Sequence, residues 1–258
     1  MKWALVTGAS AGLGAEFAKL FVEQGTSVVI VARRRDRLEA LAKDLRAKDH
    51  KIKVEVIEMD LAAAQAGHAL ARELEAKEIE VEYLVNNAGF GGSGAFAERP
   101  IEKELEMIEL NVRALVALCG AFLPGMLERK SGKILNVGSM AGFQPGPYMA
   151  TYYATKAFVN SFSEALSEET RGTGVTVTVL APGPVDTEFV EAAGIVKSSL
   201  FKATADSAID VAKVGFKAMM KGQSLAVPGV KNKCLLQGSR FAPRAAVRRS
   251  LALINRQH

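Results

Sequence analysis

The sequence predicts an α/β fold in which a mostly parallel sheet is covered by helices on both faces. Short apolar runs alternate with helical patterns along the chain, and this alternation is typical of strands joined by crossover helices. With 258 residues, the chain is long enough for one such domain with a sizeable core. We expect one domain over residues 1–230, with a basic extension over residues 231–258 that belongs to the same domain.

Seven segments are predicted to form the strands of this sheet. They are the strand-like, largely apolar segments that alternate with the helical patterns. The doubly wound connectivity that the alternation favours predicts the strand order 3-2-1-4-5-6-7. The predicted strands cover residues 2–6, 27–32, 53–59, 81–86, 133–138, 175–181 and 224–228.

A glycine-rich turn over residues 7–14 follows the first strand and precedes a helical stretch over residues 15–24. Gly8 permits the turn without a Cβ penalty, Gly12 lets the backbone approach a pyrophosphate, and Gly14 lets the helix pack close to the strand. The phosphates of a dinucleotide would lie at the helix N-terminus. The spacing is Gly-x-x-x-Gly-x-Gly rather than the commoner Gly-x-Gly-x-x-Gly. A plain strand–helix connection is the alternative, but the place at the start of a βαβ pattern favours dinucleotide binding.

The end of the second strand indicates which dinucleotide binds. A fold that prefers NAD usually carries Asp or Glu here for the ribose 2′-hydroxyl, whereas this chain has Ala32 followed by Arg33-Arg34-Arg35. Guanidinium groups suit a 2′-phosphate, so we predict NADP(H) over NAD(H), with Arg33 as the first phosphate ligand and Arg34 as a second. The alternative is a solvated charge run that opens the helix over residues 36–48, although three arginines oppose the dipole at a helix N-terminus.

A tyrosine, a lysine and a serine have the spacing of a proton-transfer site for carbonyl reduction or alcohol oxidation. Tyr152 precedes Lys156 by one helical turn, which places both on one helix face, and Ser139 lies upstream. A neighbouring cation typically lowers the pKa of a phenol from near 10 by about 1–3 pH units, so we expect a lowered Tyr152 pKa. The bare spacing also fits an ordinary helix-surface contact. Tyr153 has no lysine at this spacing and is expected to point elsewhere.

Further motifs follow in order along residues 1–230. Asp60-Leu61 comes after the third strand, Asn86-Asn87-Ala88-Gly89 after the fourth, Asn111 in the next helix, and Pro182-Gly183-Pro184-Val185-Asp186-Thr187 after the sixth strand. Together with the glycine turn and Tyr152–Lys156, this set resembles the short-chain dehydrogenase/reductase family in its short single-domain form, which has a doubly wound Rossmann fold. Taken singly, Asp60 also fits a helix N-cap, Asn111 a helix cap or bend, Ser139 an ordinary strand-end hydroxyl, and Pro182-Gly183 a turn.

The resemblance implies a role for each matched residue. Asn111, Ser139, Tyr152 and Lys156 would be the catalytic set, with Ser139 holding the substrate oxygen and Asn111 holding a water of the proton relay. Asp60 would face the adenine, and Val185 and Thr187 would orient the nicotinamide. The residues expected to contact the cofactor are Gly8, Ser10, Gly12, Leu13, Gly14, Arg33, Arg34, Asp60, Leu61, Asn87, Ala88, Gly89, Tyr152, Lys156, Pro182, Gly183, Val185 and Thr187.

Composition argues for a cytoplasmic protein without a metal. Cys119 and Cys234 are far apart and are expected to stay reduced, and the three histidines lack metal-ligand spacing. Strand one begins at once, which does not fit a signal peptide, and we expect no stretch apolar enough to span a bilayer.

The C-terminal extension concentrates positive charge. Residues 231–258 contain seven Lys or Arg and no Asp or Glu. A helix over residues 243–256 would present an apolar stripe of Val247, Leu251 and Ile254. The helix would pack on the domain or on a neighbouring subunit, or would contact an anionic membrane surface; nucleic acid is not expected because the charge is confined to the end. The arginines around the stripe are Arg244, Arg248, Arg249 and Arg256.

Side chains next to the catalytic set indicate a hydrophobic ketone, aldehyde or secondary alcohol as substrate. They are mostly apolar and include no arginine clamp for a carboxylate, and residues 188–204 would form a lid, as in the family. The predicted walls are Phe90, Met140, Phe143, Tyr148, Met149 and Phe189.

Two other functions remain open from the sequence. The first is a 3-oxoacyl reductase acting on carrier-protein or CoA thioesters, for which Arg129-Lys130, and Arg171 if it lies nearby, would dock an acidic carrier. The second is a non-catalytic NADP-binding sensor or scaffold. In either case, the resemblance implies a homodimer or homotetramer through helices four and five, and the apolar helix over residues 110–127 is compatible with this.

Overall fold

Seven parallel strands form one sheet in the order β3-β2-β1-β4-β5-β6-β7, which confirms the predicted fold and strand order. The structure is a computed structural model that describes residues 2–194, 205–239 and 241–256. The predicted lid over residues 188–204 therefore lies outside the described residues beyond Gly194. The strands are β1 Trp3–Thr7, β2 Ser27–Ala32, β3 Val54–Glu58, β4 Val81–Asn86, β5 Gly132–Val137, β6 Val175–Leu180 and β7 Leu225–Ala226.

Helices cover both faces of the sheet. The helices on each face pack against the strands and form a separate apolar core. On one face, Phe17, Leu38 and Val211 pack on the strands, and on the other Leu70 and Leu118 do. Strands β1, β2 and β4 are buried along their whole length. The near-continuous apolar runs of β1 and β2 fit this burial, whereas β4 also buries Glu82 and Asn86. The helices are α1 Gly12–Glu23, α2 Arg35–Lys48, α3 Ala66–Ala76, α4 Ile101–Ile108, α5 Leu115–Glu128, α6 Ala150–Glu169, α7 Glu188–Ala192, α8 Ala208–Lys221, α9 Val230–Ser239 and α10 Arg244–Asn255.

Helices α4 and α5 are joined by a π-helical segment, Glu109–Ala114, into one long helix. By length and mean hydropathy (1.6), Ile101–Glu128 is apolar enough to cross a membrane, so the expectation that no stretch would qualify is wrong. One side of this helix is buried against the sheet, however, as Leu118 and Met126 show. The same composition therefore fits a helix that packs on the core of a globular fold.

The C-terminal extension packs beside the carboxyl ends of the strands. Leu236 of α9 is buried with Ala181 and Val227, just beyond β6 and β7. The Asn255 amide of α10 donates to the Pro147 carbonyl (3.1 Å). The predicted helix over residues 243–256 is present as α10, with Pro243 as its N-cap residue.

Candidate active site

A cavity of about 1470 Å³ opens beyond the carboxyl ends of the strands. The glycine turn after β1, the loops after β4, β5 and β6, and the start of α6 all contribute to its walls. Parallel strands end at one edge of a sheet, so residues far apart in sequence meet here. Of the predicted site residues, all line this cavity except Gly14 and Asn111.

The glycine turn has the geometry that its sequence predicts. Gly8 and Gly12 have φ values of +65° and +56°, in the left-handed region that favours glycine. A Cβ on Gly14 would lie 2.3 Å from the Gly8 carbonyl oxygen, so α1 and the turn are packed with no room for a side chain. The Asn87 amide donates to the carbonyls of Thr7 (2.9 Å) and Gly8 (3.2 Å), which ties the turn to the end of β4.

One loop borders the glycine turn on each side, the first after β3 and the second after β6. Asp60 is exposed and begins a tight turn, in which its carboxylate accepts from the Ala62 N–H (3.0 Å). Helix α3 begins only at Ala66, so Asp60 is not a helix N-cap. On the other side, a Cβ on Gly12 would lie 3.2 Å from the Thr187 methyl group, so the loop after β6 closely approaches the glycine turn.

Tyr152, Ser139 and Lys156 are brought together as predicted. The Lys156 ammonium lies 5.9 Å from the centre of the Tyr152 ring and donates to the Val137 carbonyl (2.7 Å) at the end of β5. The Ser139 hydroxyl accepts from the Ala141 N–H (3.0 Å) and lies beside the Tyr152 phenol. One helix and one strand end therefore place all three polar groups at the same wall of the cavity.

The pKa of Tyr152 is shifted opposite to the expectation. Burial raises it to about 12, opposed in part by the nearby Ser139 hydroxyl. Burial also lowers the pKa of Lys156 to about 8. The prediction from the sequence was wrong because it assumed a permanent cation beside the phenol, whereas a lysine of pKa about 8 loses its charge before a phenol of pKa about 12 titrates. The Tyr152 phenol is therefore protonated and uncharged at neutral pH.

Asn111 lies behind the cavity wall, in the π-helical segment. Its side chain accepts from the Phe90 N–H (3.0 Å) and donates to the Phe90 carbonyl (2.9 Å) and to the Thr155 hydroxyl (3.1 Å). Thr155 in turn donates to the Tyr152 carbonyl (2.7 Å). Asn111 thus fixes the loop after β4 and connects it to α6, and the departure from α-helical geometry occurs at this residue.

Asn160 is a site residue that the sequence reasoning missed. Its buried amide donates to the Ser139 carbonyl (2.9 Å), and its oxygen accepts from the Ser139 N–H (3.4 Å). A Cβ on Gly138 would lie 2.0 Å from that oxygen, so the backbone just after β5 packs directly against the Asn160 amide. The spacing of Tyr152, Lys156 and Asn160, each one helical turn from the next, is the signal that would have identified it.

We expect Asn160→Ala to lower kcat about tenfold or more while the Kd for NADPH stays within about twofold, because the Ser139 hydroxyl would lose its fixed position. The matched control is Ser163→Ala on the same helix. Ser163 is equally buried but bonds Asn136 and Val159, away from Ser139. Steady-state kinetics and NADPH titration separate the two. An equal loss of kcat in both variants would mean that Asn160 contributes only to packing and does not position Ser139.

A buried polar network lies under the site. The Asn86 amide donates to the Asn136 side chain (2.9 Å), and the Asn136 amide donates to the Ser163 hydroxyl (2.9 Å), so β4, β5 and α6 are joined by side chains. Cys119 lies against both asparagines, and burial raises its pKa to about 12, which keeps it a thiol. This network ties Asn86, the first residue of the Asn-Asn-Ala-Gly segment, to the centre of the sheet.

The predicted phosphate-binding arginines differ in their surroundings. The Arg34 guanidinium donates to the Ser10 hydroxyl of the glycine turn (3.0 Å) and to the Glu188 carboxylate (2.8 Å). Arg37 also donates to Glu188. Arg33 instead pairs with Glu106 of α4 (3.2 Å). Both predicted arginines line the cavity, but only Arg34 contacts the glycine turn.

Most predicted substrate walls line the cavity, including Phe189, whose ring lies 5.4 Å from that of Tyr152. Tyr148 does not line it. Tyr153 was expected to point elsewhere but also lines the cavity; its hydroxyl lies 3.4 Å from the Asn255 amide, on the C-terminal helix. The C-terminal helices supply walls that the sequence did not place here, among them Leu235, Leu236, Val247, Leu251 and Ile254.

The comparisons with known proteins agree with this geometry. The profile of the short chain dehydrogenase family matches residues 2–199. A very-long-chain 3-oxoacyl-CoA reductase of Coprinopsis cinerea is 38% identical over 177 residues, which is 68% of this chain but 52% of the relative. The chain thus aligns with about half the length of that relative.

Two solved structures cover nearly the whole fold. A short-chain dehydrogenase of Sphingobium yanoikuyae in complex with NADPH is 31% identical, with a TM-score of 0.83 over 93% of this chain and 94% of that one. The bulky-bulky ketone specific alcohol dehydrogenase of Comamonas testosteroni is 28% identical, with a TM-score of 0.78 over 93% and 92%. Further solved relatives contain an NADP derivative or NAD. With the family profile covering most of its length, the chain belongs to the short-chain dehydrogenase family of oxidoreductases.

Proposed function

We propose that the protein is an NADP(H)-dependent oxidoreductase that interconverts a hydrophobic carbonyl compound and its secondary alcohol. One observation carries the proposal: Tyr152, Ser139 and Lys156 lie together on the wall of a cavity that also includes the glycine turn. The turn and Arg34 would hold the dinucleotide, which supplies or accepts the hydride when it is bound. The protein supplies binding, orientation and the proton.

In the proposed reduction, Tyr152 is the general acid. The substrate carbonyl oxygen would accept hydrogen bonds from the Ser139 hydroxyl and the Tyr152 phenol, and the phenol would give its proton to that oxygen as charge develops on it. With a pKa of about 12, the phenol is protonated at neutral pH and ready to donate. Oxidation of the alcohol would use the same atoms in reverse.

Lys156 and Asn111 would restore the proton. A Cβ added to Gly89 would lie 3.8 Å from the Lys156 ammonium nitrogen and 2.8 Å from the Asn111 side-chain oxygen. Both polar groups therefore lie close to Gly89. Lys156 would stabilise the phenolate that forms during turnover, because an ammonium near a buried anion offsets its loss of hydration. In reduction, a new proton would reach Tyr152 through a relay that connects Asn111, water and Lys156, and in oxidation the proton would leave by the same relay.

The preference for NADP(H) rests mainly on Arg34. Its guanidinium contacts Ser10 in the glycine turn, beside the place where the adenosine ribose would lie, and Ala32 leaves no carboxylate at the end of β2. A planar guanidinium binds phosphate through two parallel hydrogen bonds. The NADPH complex of the Sphingobium yanoikuyae relative supports this assignment.

Glu188 provides a test of this phosphate site. Hydrogen bonds from Arg34 and Arg37 lower its pKa, so it is an anion that competes with a 2′-phosphate for the same guanidinium. We expect Glu188→Gln to lower the KM for NADPH about threefold to tenfold and to leave the KM for NADH unchanged. Glu39→Gln, which removes the exposed partner of Arg35, is the matched control. Equal improvement with both cofactors would refute the assignment of Arg34.

The experiment that tests the function is a turnover assay with NADPH and NADH in parallel. The panel contains hydrophobic ketones, aldehydes, diketones and 3-oxoacyl-CoA thioesters, and oxidation of the nicotinamide is followed by absorbance. We expect turnover with NADPH on bulky apolar carbonyls. A preference for NADH would overturn the cofactor assignment alone, whereas tight NADPH binding without turnover on any substrate would favour the non-catalytic sensor.

A 3-oxoacyl-CoA reductase is the second candidate. Its support is the likeness to the very-long-chain 3-oxoacyl-CoA reductase of Coprinopsis cinerea, together with a large cavity whose predicted walls are mostly apolar. The carrier-protein version is less well supported, because Arg129 donates to the Val81 carbonyl (2.5 Å) and lies 3.9 Å from both Glu80 and Glu82. The thioesters in the panel distinguish this candidate from a free-ketone reductase.

The proposed assembly is a homo-oligomer through the long helix formed by α4 and α5 and through α6. These are the fourth and fifth helical units of the chain. Helix α4 exposes Ile101, Leu105 and Ile108, and α6 exposes Phe158, which stacks on Phe162. Contiguous exposed apolar side chains on packed helices are typical of subunit interfaces. Sedimentation velocity tests this assembly.

A further inference from the structure

The C-terminal helices expose apolar side chains to an unusual degree. Phe241, Leu253 and Val230 are 89%, 79% and 77% exposed, more than any other large hydrophobic residue that the structure describes. All three lie within residues 230–253, on α9, α10 and the turn between them. Scattered exposed apolar residues are ordinary, whereas a concentration of this kind marks an interaction surface.

The same helices carry positive charge without acidic partners. No Asp or Glu occurs in residues 231–258, and the six lysines and arginines described there form no ion pair with the rest of the described chain. By contrast, Arg33, Arg34 and Arg37 near the glycine turn are each paired with a glutamate. The unpaired cations are Lys231, Lys233, Arg244, Arg248, Arg249 and Arg256.

Helix α10 has two faces with different surroundings. Val247, Leu251 and Ile254, spaced by three and four residues, line the cavity. Arg248, Arg249 and Leu253 do not line it and are exposed. The apolar stripe seen in the sequence therefore faces the cavity, and a second surface of cations and apolar side chains lies outside it, beside the cavity.

We propose that the outer surface of α9 and α10 docks the protein on an anionic phospholipid bilayer. Lysines and arginines interleaved with exposed Phe, Leu and Val are the composition of helices that lie in a membrane interface, where the cations meet lipid phosphates and the apolar side chains enter the acyl region. This inference goes beyond the proposed reaction and does not depend on it.

Charge favours a lipid surface over a second copy of this chain. In a two-fold interface the same surface meets itself, so Arg248 and Arg249 would face like charges with no acidic residue of α9 or α10 to offset them. An anionic bilayer offers the complementary charge. It also accepts Leu253 and Phe241, which a nucleic acid backbone would leave in water.

Docking would place the cavity beside the source of its substrate. Because α10 forms both the outer surface and one wall of the cavity, an apolar compound dissolved in the bilayer would reach Tyr152 without crossing bulk water. The surface thus fits an enzyme that takes membrane-dissolved substrates.

Vesicle co-sedimentation tests the proposal with the full chain. We expect binding to vesicles of phosphatidylcholine with about one third phosphatidylserine at about 0.1 M salt, and little binding to phosphatidylcholine alone. The double variant Arg248→Gln/Arg249→Gln is expected to bind about tenfold to thirtyfold more weakly. The variant Leu253→Asn/Phe241→Asn is expected to lose at least tenfold. Circular dichroism of each variant checks that it is folded.

The charge control is Lys213→Gln/Lys217→Gln on α8, which removes two exposed cations far along the chain from α10. We expect it to bind vesicles as the unchanged protein does. The proposal is overturned if the unchanged protein does not bind anionic vesicles, or if the two charge variants lose binding equally. It is also overturned if Leu253→Asn/Phe241→Asn leaves vesicle binding unchanged but dissociates an oligomer in sedimentation velocity, because the surface would then be a subunit interface.

Discussion

Replacing Tyr152 with phenylalanine is expected to lower kcat for carbonyl reduction by about 10²–10⁴-fold, the usual contribution of a positioned general acid. The substitution removes only the hydroxyl, so the ring keeps its contact with Phe189 (5.4 Å between ring centres). The Kd for NADPH is expected to stay within about threefold, because most predicted cofactor contacts come from the glycine turn and the loops. Single-turnover kinetics and cofactor titration measure the two effects.

Tyr153→Phe is the matched control, since Tyr153 lines the same cavity from the next position of α6. The Tyr153 hydroxyl lies by Asn255, and burial raises its pKa, as it does for Tyr152. Within the described residues, Tyr153 has no hydrogen bond to Ser139 or Lys156. We expect its kcat to stay within about fivefold of the unchanged protein. If both variants lose activity equally, or if Tyr152→Phe retains it, the assigned general acid is wrong.

Gly14→Ala is expected to have the largest effect on cofactor binding. The added Cβ would lie 2.3 Å from the Gly8 oxygen and 2.7 Å from the Asn87 amide nitrogen, closer than packed atoms approach, so the turn must move. We expect the free energy of unfolding to fall by about 1–3 kcal/mol and the Kd for NADPH to rise at least tenfold. Thermal denaturation with and without NADPH measures both.

Gly120→Ala shows what the same change does where space is available within one subunit. Gly120 lies within α5, is exposed, and has no atom within 4 Å of an added Cβ. Alanine is favoured over glycine inside helices, so this variant is expected to gain about 0.5–1 kcal/mol of stability and to bind NADPH normally. If Gly14→Ala behaves like Gly120→Ala, the close packing of the glycine turn is not needed for cofactor binding.

Much of the fold could be predicted because its signals are local. The strands β2 and β4 begin and end at the predicted residues, since each is a buried run bounded by a turn or a polar residue. Strand β7 is shorter than predicted, Leu225–Ala226 instead of 224–228. Pro228 cannot donate to a strand ladder, and Gly229 has φ +76°, so the pairing ends before them.

The electrostatics of the site could not be predicted from spacing alone. The sequence places Lys156 one turn from Tyr152, but it does not reveal that both groups are buried or that the ammonium donates to the Val137 carbonyl. Burial disfavours the charged form of each group, so the Tyr152 pKa rises where the sequence predicts a fall. The same limit hid Asn160, whose bonds to Ser139 exist only because β5 and α6 meet.

The sequence alone determined the fold class, the strand order and the residues that gather at one edge of the sheet. Those features follow from periodicity, glycine geometry and strand direction, which are properties of short segments. Only the tertiary structure decided which arginine contacts the glycine turn, which groups lose their hydration, and that the apolar stripe of α10 lines the cavity. These depend on contacts between segments far apart in the chain, such as Tyr153 with Asn255, and no local pattern encodes them.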